Sequence, residues 1–186
     1  LSTASATIDV LVGKSAGYAI LVHGQLDPLV GSPEGLGAHK KTANRIYKAL
    51  RKRGFLSEDI NYFNFDTNHI GPIPSAGNRY EVDYRNLSGV PPNPPSKEAI
   101  QAAIENWAFE KISNKPAPLY IILVDHGLKD KFFIGQNNTA GIITPTELSQ
   151  WLDTLETKLG GLANNSAESL NEKRGMILGY CYSGSF

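Results

Sequence analysis

The sequence has one cysteine, no excess of either charge and no long apolar run. One cysteine excludes an internal disulfide framework and a metal site built from several thiolates. Eighteen lysines and arginines balance eighteen aspartates and glutamates, so the charge gives no support for binding nucleic acid or an anionic membrane surface. No apolar segment approaches the roughly 20 residues that a membrane-spanning helix needs. We therefore expect no nucleic-acid partner and no membrane partner.

The chain of 186 residues has the length of a single domain with a sizeable core. Its first residues, LSTASATIDVLVGKSAG, lack the basic region and the long apolar region of a signal peptide. The compartment stays open, and a secreted or extracytoplasmic location is compatible with the sequence. Residues 1–16 are expected to be an arm or the tail of a preceding module, and residues 17–186 to form the domain.

Four apolar segments, separated by amphipathic ones, predict an α/β fold. Strands are expected at residues 17–24, 59–65, 119–127 and 176–180, and helices at residues 39–55, 97–112 and 144–159. Strands that alternate with helices in this way form a parallel sheet with helices on both of its faces.

Local signals indicate where these elements begin and end. Ser96 is expected to cap the second helix, and Thr144, with Glu147 three residues later, predicts a capping box for the third. The stretches KFFIG and GIIT predict a short hairpin between the third strand and the third helix. Loops are expected at residues 25–37, 66–95 and 161–175, the second holding six of the eleven prolines.

The chemistry-bearing residues follow the predicted strands, where ligands of parallel sheets bind. His23, Asp66, His126 and Cys181 occupy such positions. If the third and fourth strands are neighbours, His126 and Cys181 lie at the same edge of the sheet. An imidazole beside a thiol can take its proton during nucleophilic attack. The backbone amides of Gly127 and Cys181 are candidate donors to a developing oxyanion, since a glycine allows close approach.

Ordinary structural roles remain open for both Cys181 and His126. A cysteine at the end of an apolar strand is often a small buried hydrophobe, and a histidine after a strand is often a hydrogen-bonded loop residue. A flavodoxin-like nucleotide binder is a weaker interpretation, because no glycine-rich phosphate motif follows any strand.

The segments LYIILVDHG and MILGYCYSGSF resemble the two catalytic blocks of the legumain-like cysteine peptidases, within the caspase-like fold group. Cys181 follows His126 by 55 residues, and GYAILVHG with the helix and strand after it resembles the opening of prokaryotic members. The resemblance covers residues 17–186. It implies a three-layer α/β/α caspase-like fold with a mostly parallel central sheet.

The resemblance also implies a cysteine endopeptidase that acts on a peptide or protein substrate. His126 would be general base and then general acid, Cys181 would form the acyl-enzyme, and the amides of Gly127 and Cys181 would hold the oxyanion. No cofactor and no metal ion is needed for this reaction. A catalytically inactive binding or scaffold module with the same fold remains the alternative.

The sequence departs from legumain itself in the pocket that selects asparagine. Legumain has an Arg-His pair before its first helix and a glutamate two residues before the cysteine. Here His39 matches the histidine, but Ala38 and Gly179 replace the other two. Asparagine specificity is therefore not supported, and His39, Gly179 and Ser183 stay candidate substrate-binding residues. The family's third catalytic residue aligns near Leu26, so no triad is assigned.

Four further residues near these motifs have alternative roles. His23 either lines the pocket or has a structural role in the turn at the end of its strand. His39 either lines the pocket or lies exposed to solvent at the start of its helix. Tyr180 either packs in the sheet or narrows the site. Asp125 is not expected to orient His126, because adjacent side chains of a strand point to opposite faces.

The family's domains continue past the cysteine with a helix and further strands. We therefore expect residues 17–186 to be the N-terminal or large-subunit portion of a domain that is incomplete at its C-terminus. A C-terminal partner segment would complete the sheet and the substrate pocket.

Overall fold

The structure, a computed structural model, describes residues 15–24, 33–64, 93–135 and 139–186, with the side chains of residues 33–38 excepted. The expectations for Asp66, for most of the proline-rich loop and for nearly all of the N-terminal arm lie outside these residues. The strands are β1 Tyr18–His23, β2 Ile60–Phe63, β3 Leu119–Val124, β4 Gly127–Leu128, β5 Lys131–Phe133, β6 Ile142–Ile143 and β7 Arg174–Gly179.

The described helices include α1 Pro33–Lys52, α2 Lys97–Ala102, α3 Ala108–Asn114, α4 Pro145–Gly160 and α5 Ser166–Asn171. A π-helical segment, Ala103–Trp107, joins α2 to α3. Short 3₁₀ turns lie at Ser57–Asp59 and Ser183–Ser185. None of the helices in the described ranges is both long enough and apolar enough to cross a membrane.

Four strands form a parallel sheet in the order β2-β1-β3-β7. The predicted mixed α/β fold with a parallel sheet is therefore confirmed, and so is the adjacency of the third and fourth predicted strands. β3 lies between β1 and β7, and its side chains enter the apolar clusters on both faces of the sheet, so its run is buried from Leu119 to Val124, apart from the half-buried Tyr120.

The alternating side chains of the sheet enter two separate cores. Ile20, Ile121 and Leu123 belong to a cluster that includes residues of α2, the π-helical segment, α3 and α4. Leu21 and Ile122 belong to a second cluster with residues of α1. Successive residues of a strand point to opposite faces, so the two clusters lie on the two faces of the sheet.

The capping predictions are confirmed. The Thr144 hydroxyl accepts from the Glu147 amide at 3.3 Å, and the Glu147 carboxylate accepts from the Thr144 amide at 3.0 Å. The Ser96 hydroxyl accepts from the Ala99 amide at 3.1 Å. Each bond satisfies a donor that the first turn of a helix leaves without a partner in the helix.

Two loop predictions were wrong. Helix α1 begins at Pro33, inside the expected loop 25–37. Helix α5 lies inside the expected surface loop 161–175, and its Ser169 is fully buried, donating to the carbonyl of Ile112 at 3.4 Å. A helix of six residues is too short to show a periodic apolar face, so the polar composition of the segment concealed it.

The predicted hairpin is present, but it belongs to a larger unit. β5 pairs antiparallel with β6, and β4 pairs antiparallel with β5. β4 begins at Gly127, directly after His126, and a two-residue turn containing Asp130 in the left-handed region (φ 57°) joins it to β5. The hairpin therefore continues the chain from the carboxyl end of β3.

Candidate active site

The two sequence blocks predicted to carry the chemistry meet at one edge of the sheet. Val124 of β3 is in register with Gly179 of β7. His126 and Cys181 each lie two residues beyond this pair, on neighbouring parallel strands. The structure thus brings both predicted catalytic residues to the same carboxyl edge, where ligands of such sheets bind.

The backbone after His126 packs against the Tyr180 side chain and the Cys181 backbone. A Cβ atom on Gly127 would lie 2.8 Å from the Cys181 carbonyl oxygen and would collide with the Tyr180 ring. A glycine is therefore required at this position by packing alone, in addition to the role in oxyanion binding predicted for it.

Cys181 lies in a turn that leaves the end of β7, and its side chain is exposed. The alternative of a buried apolar cysteine is therefore wrong, because the chain leaves the sheet before it reaches the thiol. Tyr182, the next residue, has a left-handed backbone (φ 60°). Such a conformation costs a non-glycine residue on the order of 1 kcal/mol and is common at functional sites.

One hydroxyl ties the cysteine turn to the hairpin. The Ser185 Oγ donates to the Tyr182 carbonyl at 2.8 Å and accepts from the Asp130 amide at 2.8 Å. The segment that bears Cys181 and the segment that follows His126 are thus held together by packing at Gly127 and by this bridge.

The two amides that were predicted to bind the oxyanion are those of Gly127 and Cys181, and neither is used in a backbone ladder that the structure describes. Gly127 lies opposite Phe132, and the Phe133 amide donates to the His126 carbonyl at 3.1 Å. Hydrogen-bonded and non-hydrogen-bonded pairs alternate in an antiparallel ladder, so the Gly127 amide points away from β5. The Cys181 amide donates no hydrogen bond to any residue that the structure describes.

A compact cluster of three side chains includes the candidate base and consists of His39, Asp125 and His126. The rings of His39, on α1, and His126 are in edge-to-face contact with centroids 4.6 Å apart. The His39 Nδ1 lies 3.2 Å from the Asp125 Oδ1. The alternative that His39 is a solvent-exposed residue at the start of a helix is therefore wrong, since its side chain is 26% exposed and contacts the candidate base.

Asp125 is the functional candidate that the sequence did not predict. Its side chain is fully buried, and its Oδ1 accepts from the backbone amide of His126 at 2.7 Å. The His23 Nε2 lies 3.5 Å from the Asp125 Oδ2, and His23 itself is buried. The signal available in the sequence was an ionisable residue that stands between the most apolar strand and a histidine.

The remaining predicted residues are not all brought into one pocket. Gly179 lies on β7, where a Cβ atom would be in ordinary contact with Leu123. Ser183 is half-buried in the 3₁₀ turn after Cys181. The segment near Leu26, where a third catalytic residue was sought, lies outside the described residues, as does the side chain of Ala38.

Tyr180 packs in the structure. Its ring contacts Phe132 and Phe186, with centroids 5.0 and 5.4 Å away. Burial raises the pKa of its hydroxyl above the ordinary value of 10.0. Within the described residues the hydroxyl has no hydrogen-bond partner, so the residue contributes by packing.

The Cys181 thiol and the His126 imidazole form no hydrogen bond in the described part of the chain. Catalytic hydrogen bonds are often long without substrate and tighten when it binds.

No family model matches the sequence, and no curated protein sequence matches it.

Proposed function

We propose that the protein is a cysteine endopeptidase of the legumain-like type, with His126 and Cys181 as its catalytic dyad. The observation that carries this proposal is their shared position, each two residues beyond the paired Val124 and Gly179 at one sheet edge. The exposure of the Cys181 side chain further supports it, because a nucleophile must be reachable by a peptide.

The proposed reaction uses only groups of this chain. His126 takes the proton of the Cys181 thiol, and the sulfur attacks the peptide carbonyl. The amides of Gly127 and Cys181 donate to the oxyanion that forms. As the carbon–nitrogen bond breaks, the imidazolium gives its proton to the leaving amine. A water molecule, deprotonated by His126, then hydrolyses the thioester and releases the acid.

The proposal includes a three-layer caspase-like fold, supported by the two cores on opposite faces of the sheet. It also includes a C-terminal partner segment that pairs with β7. Met176 and Ile177, consecutive residues of β7, are 45% and 53% exposed. In the described sheet β7 lies at an edge, where its outer backbone groups can pair with a further strand, and Met176 and Ile177 offer apolar surface on both faces for added elements to cover.

We expect His39, Gly179 and Ser183 to contribute to substrate binding, as the sequence predicts, although the structure does not bring all three into one pocket. Gly179 brings no acidic group, so we expect no preference for asparagine before the cleaved bond. The ring contact between His39 and His126 supports a substrate-binding role for His39.

Turnover of a peptide library tests the proposal. Cys181→Ala should abolish cleavage, and His126→Gln should lower kcat by about 10²–10⁴-fold. Ser113→Ala, near the end of α3, removes only an exposed hydroxyl bond and serves as a control that should cleave like the parent. Unchanged turnover in either active-site variant, with folding verified by thermal unfolding, would contradict the assignment.

A catalytically inactive binding module is the second candidate. It is favoured by the missing hydrogen bond between the Cys181 thiol and His126 and by the open edge at Met176 and Ile177. Alkylation by iodoacetamide separates the two, because the chain has a single cysteine. His126→Gln should slow alkylation about tenfold in a peptidase, since the imidazole then no longer takes the proton of the attacking thiol. Equal rates favour the module.

A further inference from the structure

The cluster around Asp125 has a feature that the peptidase mechanism does not use. One ligand atom from each of His39, Asp125 and His126 lies within 4.8 Å of the others. The residues come from two elements, since His39 is on α1 and the other two follow β3. Each of the three side chains can bind a metal ion.

The Asp125 carboxylate is incompletely satisfied. Its side chain has no exposed surface, yet its Oδ2 accepts no hydrogen bond from any described residue. A buried carboxylate oxygen that accepts no hydrogen bond is costly, and such an atom calls for a cation or an ordered water. His23 contributes one nitrogen at 3.5 Å from this oxygen.

The contact between His39 and Asp125 also leaves a buried polar atom without a hydrogen bond. The His39 Nδ1 and the Asp125 Oδ1 are 3.2 Å apart, although the nitrogen, which is buried, forms no hydrogen bond in the described ranges. Two ligands of a tetrahedral zinc ion with bonds of about 2.1 Å are separated by about 3.4 Å. The spacing of this pair therefore suits a shared metal ion.

We propose that His39, Asp125 and His126 bind a divalent transition-metal ion, with Zn²⁺ as the best match. Two imidazole nitrogens and one carboxylate oxygen form a donor set of open zinc sites, in which water fills the remaining position. Magnesium and calcium prefer sites made wholly of oxygen ligands. The ion reaches the cluster from solvent along the His39 side chain, which is 26% exposed.

Metal binding has a consequence that rests on the proposed peptidase function. A neutral imidazole has one nitrogen with a free lone pair, and its other nitrogen carries the proton. A metal ion on His126 occupies that lone pair, so the ring can no longer accept the thiol proton. Zinc would therefore inhibit the enzyme reversibly, and a chelator would restore activity.

Direct binding is measured first, in the Cys181→Ala protein, so that the thiol cannot contribute. Titration with Co²⁺, followed by its visible absorption, and competition with Zn²⁺ should show one ion per chain. His39→Gln and Asp125→Asn, each in that background, should weaken binding by about tenfold or more. The matched control is Asp59→Asn, which removes a carboxylate paired with Lys111 and should bind normally.

The outcomes are distinguishable. Unchanged affinity in both His39→Gln and Asp125→Asn, or no binding at millimolar metal, overturns the site and leaves His23 and His39 as plain partners of Asp125. If Asp125→Asn does not fold, His39→Gln decides alone, because His39 is partly exposed on α1. The consequence is then tested by zinc inhibition of peptide cleavage in the parent protein and in the His39→Gln and Asp125→Asn variants that retain Cys181. Each rate is compared with the metal-free rate of the same protein. A protein that binds zinc but cleaves no peptide keeps the site and loses the peptidase.

Discussion

A Cβ atom added to Gly127 would lie 2.8 Å from the carbonyl oxygen of Cys181. The backbone after the candidate base and the backbone of the candidate nucleophile are therefore in direct contact. This contact links two segments that are distant in the sequence, and it leaves no space for a larger residue. The geometry of the proposed site depends on it.

Gly127→Ala should therefore damage both stability and activity. The added methyl group would force apart the hairpin and the cysteine turn, because it would lie 2.8 Å from the Cys181 carbonyl oxygen and 2.9 Å from the Lys131 carbonyl oxygen, both backbone atoms. We expect a loss of about 1–3 kcal/mol in the free energy of unfolding, measured by urea denaturation. The rate of peptide cleavage should fall further than the loss of folded protein explains, because the Gly127 amide is a proposed oxyanion donor.

The matched control for this prediction is Gly184, in the 3₁₀ turn that follows Cys181. Gly184 has no atom within 4 Å of an added Cβ. Gly184→Ala should therefore change stability by less than about 0.5 kcal/mol. Equal stabilities of the Gly127 and Gly184 variants would show that the contact is not tight in solution.

Ser185→Ala should loosen the cysteine turn. Its Oγ bridges the Tyr182 carbonyl and the Asp130 amide, both at 2.8 Å. Loss of the bridge should cost about 1 kcal/mol and speed hydrogen exchange of the Asp130 amide. Ser113→Ala, which removes a single exposed bond to the carbonyl of Glu110, is the control. An unchanged Asp130 exchange rate in the Ser185 variant would argue against the bridge.

Much of the sheet could be predicted because its strands are buried on both faces. The runs from Tyr18 to His23 and from Leu119 to Val124 are almost wholly apolar, and such runs have few other structural explanations. The run that ends at Val124 also predicted the position of His126, and the apolar segment of β7 predicted that of Cys181, since each residue lies just beyond the end of its strand. Short elements such as β4 and α5 carried no comparable pattern.

The role of Asp125 could not be predicted, for a physical reason. The alternation of side chains holds only inside a strand, and β3 ends at Val124. Asp125 already lies in a bend, so its carboxylate turns back toward the His126 amide and the His39 ring. The contact with His39 is between residues far apart in the sequence, and only the fold brings them together.

The stability of the protein should fall in acid partly through Glu147. Burial alone would raise the pKa of this carboxyl, but the bonds from Lys97 at 2.6 Å and from Thr144 outweigh it, and the pKa is lowered from 4.5. The stabilisation is therefore complete above the ordinary pKa and is lost as the pH falls through the lowered value.

Glu147→Gln tests this dependence, because glutamine can still accept from the Thr144 amide. The variant should be less stable than the parent by about 1 kcal/mol at neutral pH, and the difference should vanish in acid. Thermal unfolding from pH 7 to pH 3 measures both. Glu98→Gln, on an exposed position beside Lys97, is the control and should change little. A difference that persists in acid would assign the effect to packing.

Two tyrosine hydroxyls should respond oppositely to removal. The Tyr18 hydroxyl donates to the Lys115 carbonyl at 2.8 Å, whereas the buried Tyr180 hydroxyl has no partner among the described residues. Tyr18→Phe should therefore cost about 1 kcal/mol, because a hydrogen bond is lost. Tyr180→Phe should be neutral or stabilising by up to about 1 kcal/mol, since burying an unpaired hydroxyl is unfavourable. Urea denaturation of both variants decides the matter. A large loss of stability in the Tyr180 variant would mean that its hydroxyl has a partner, and the ring could then no longer be treated as packing alone.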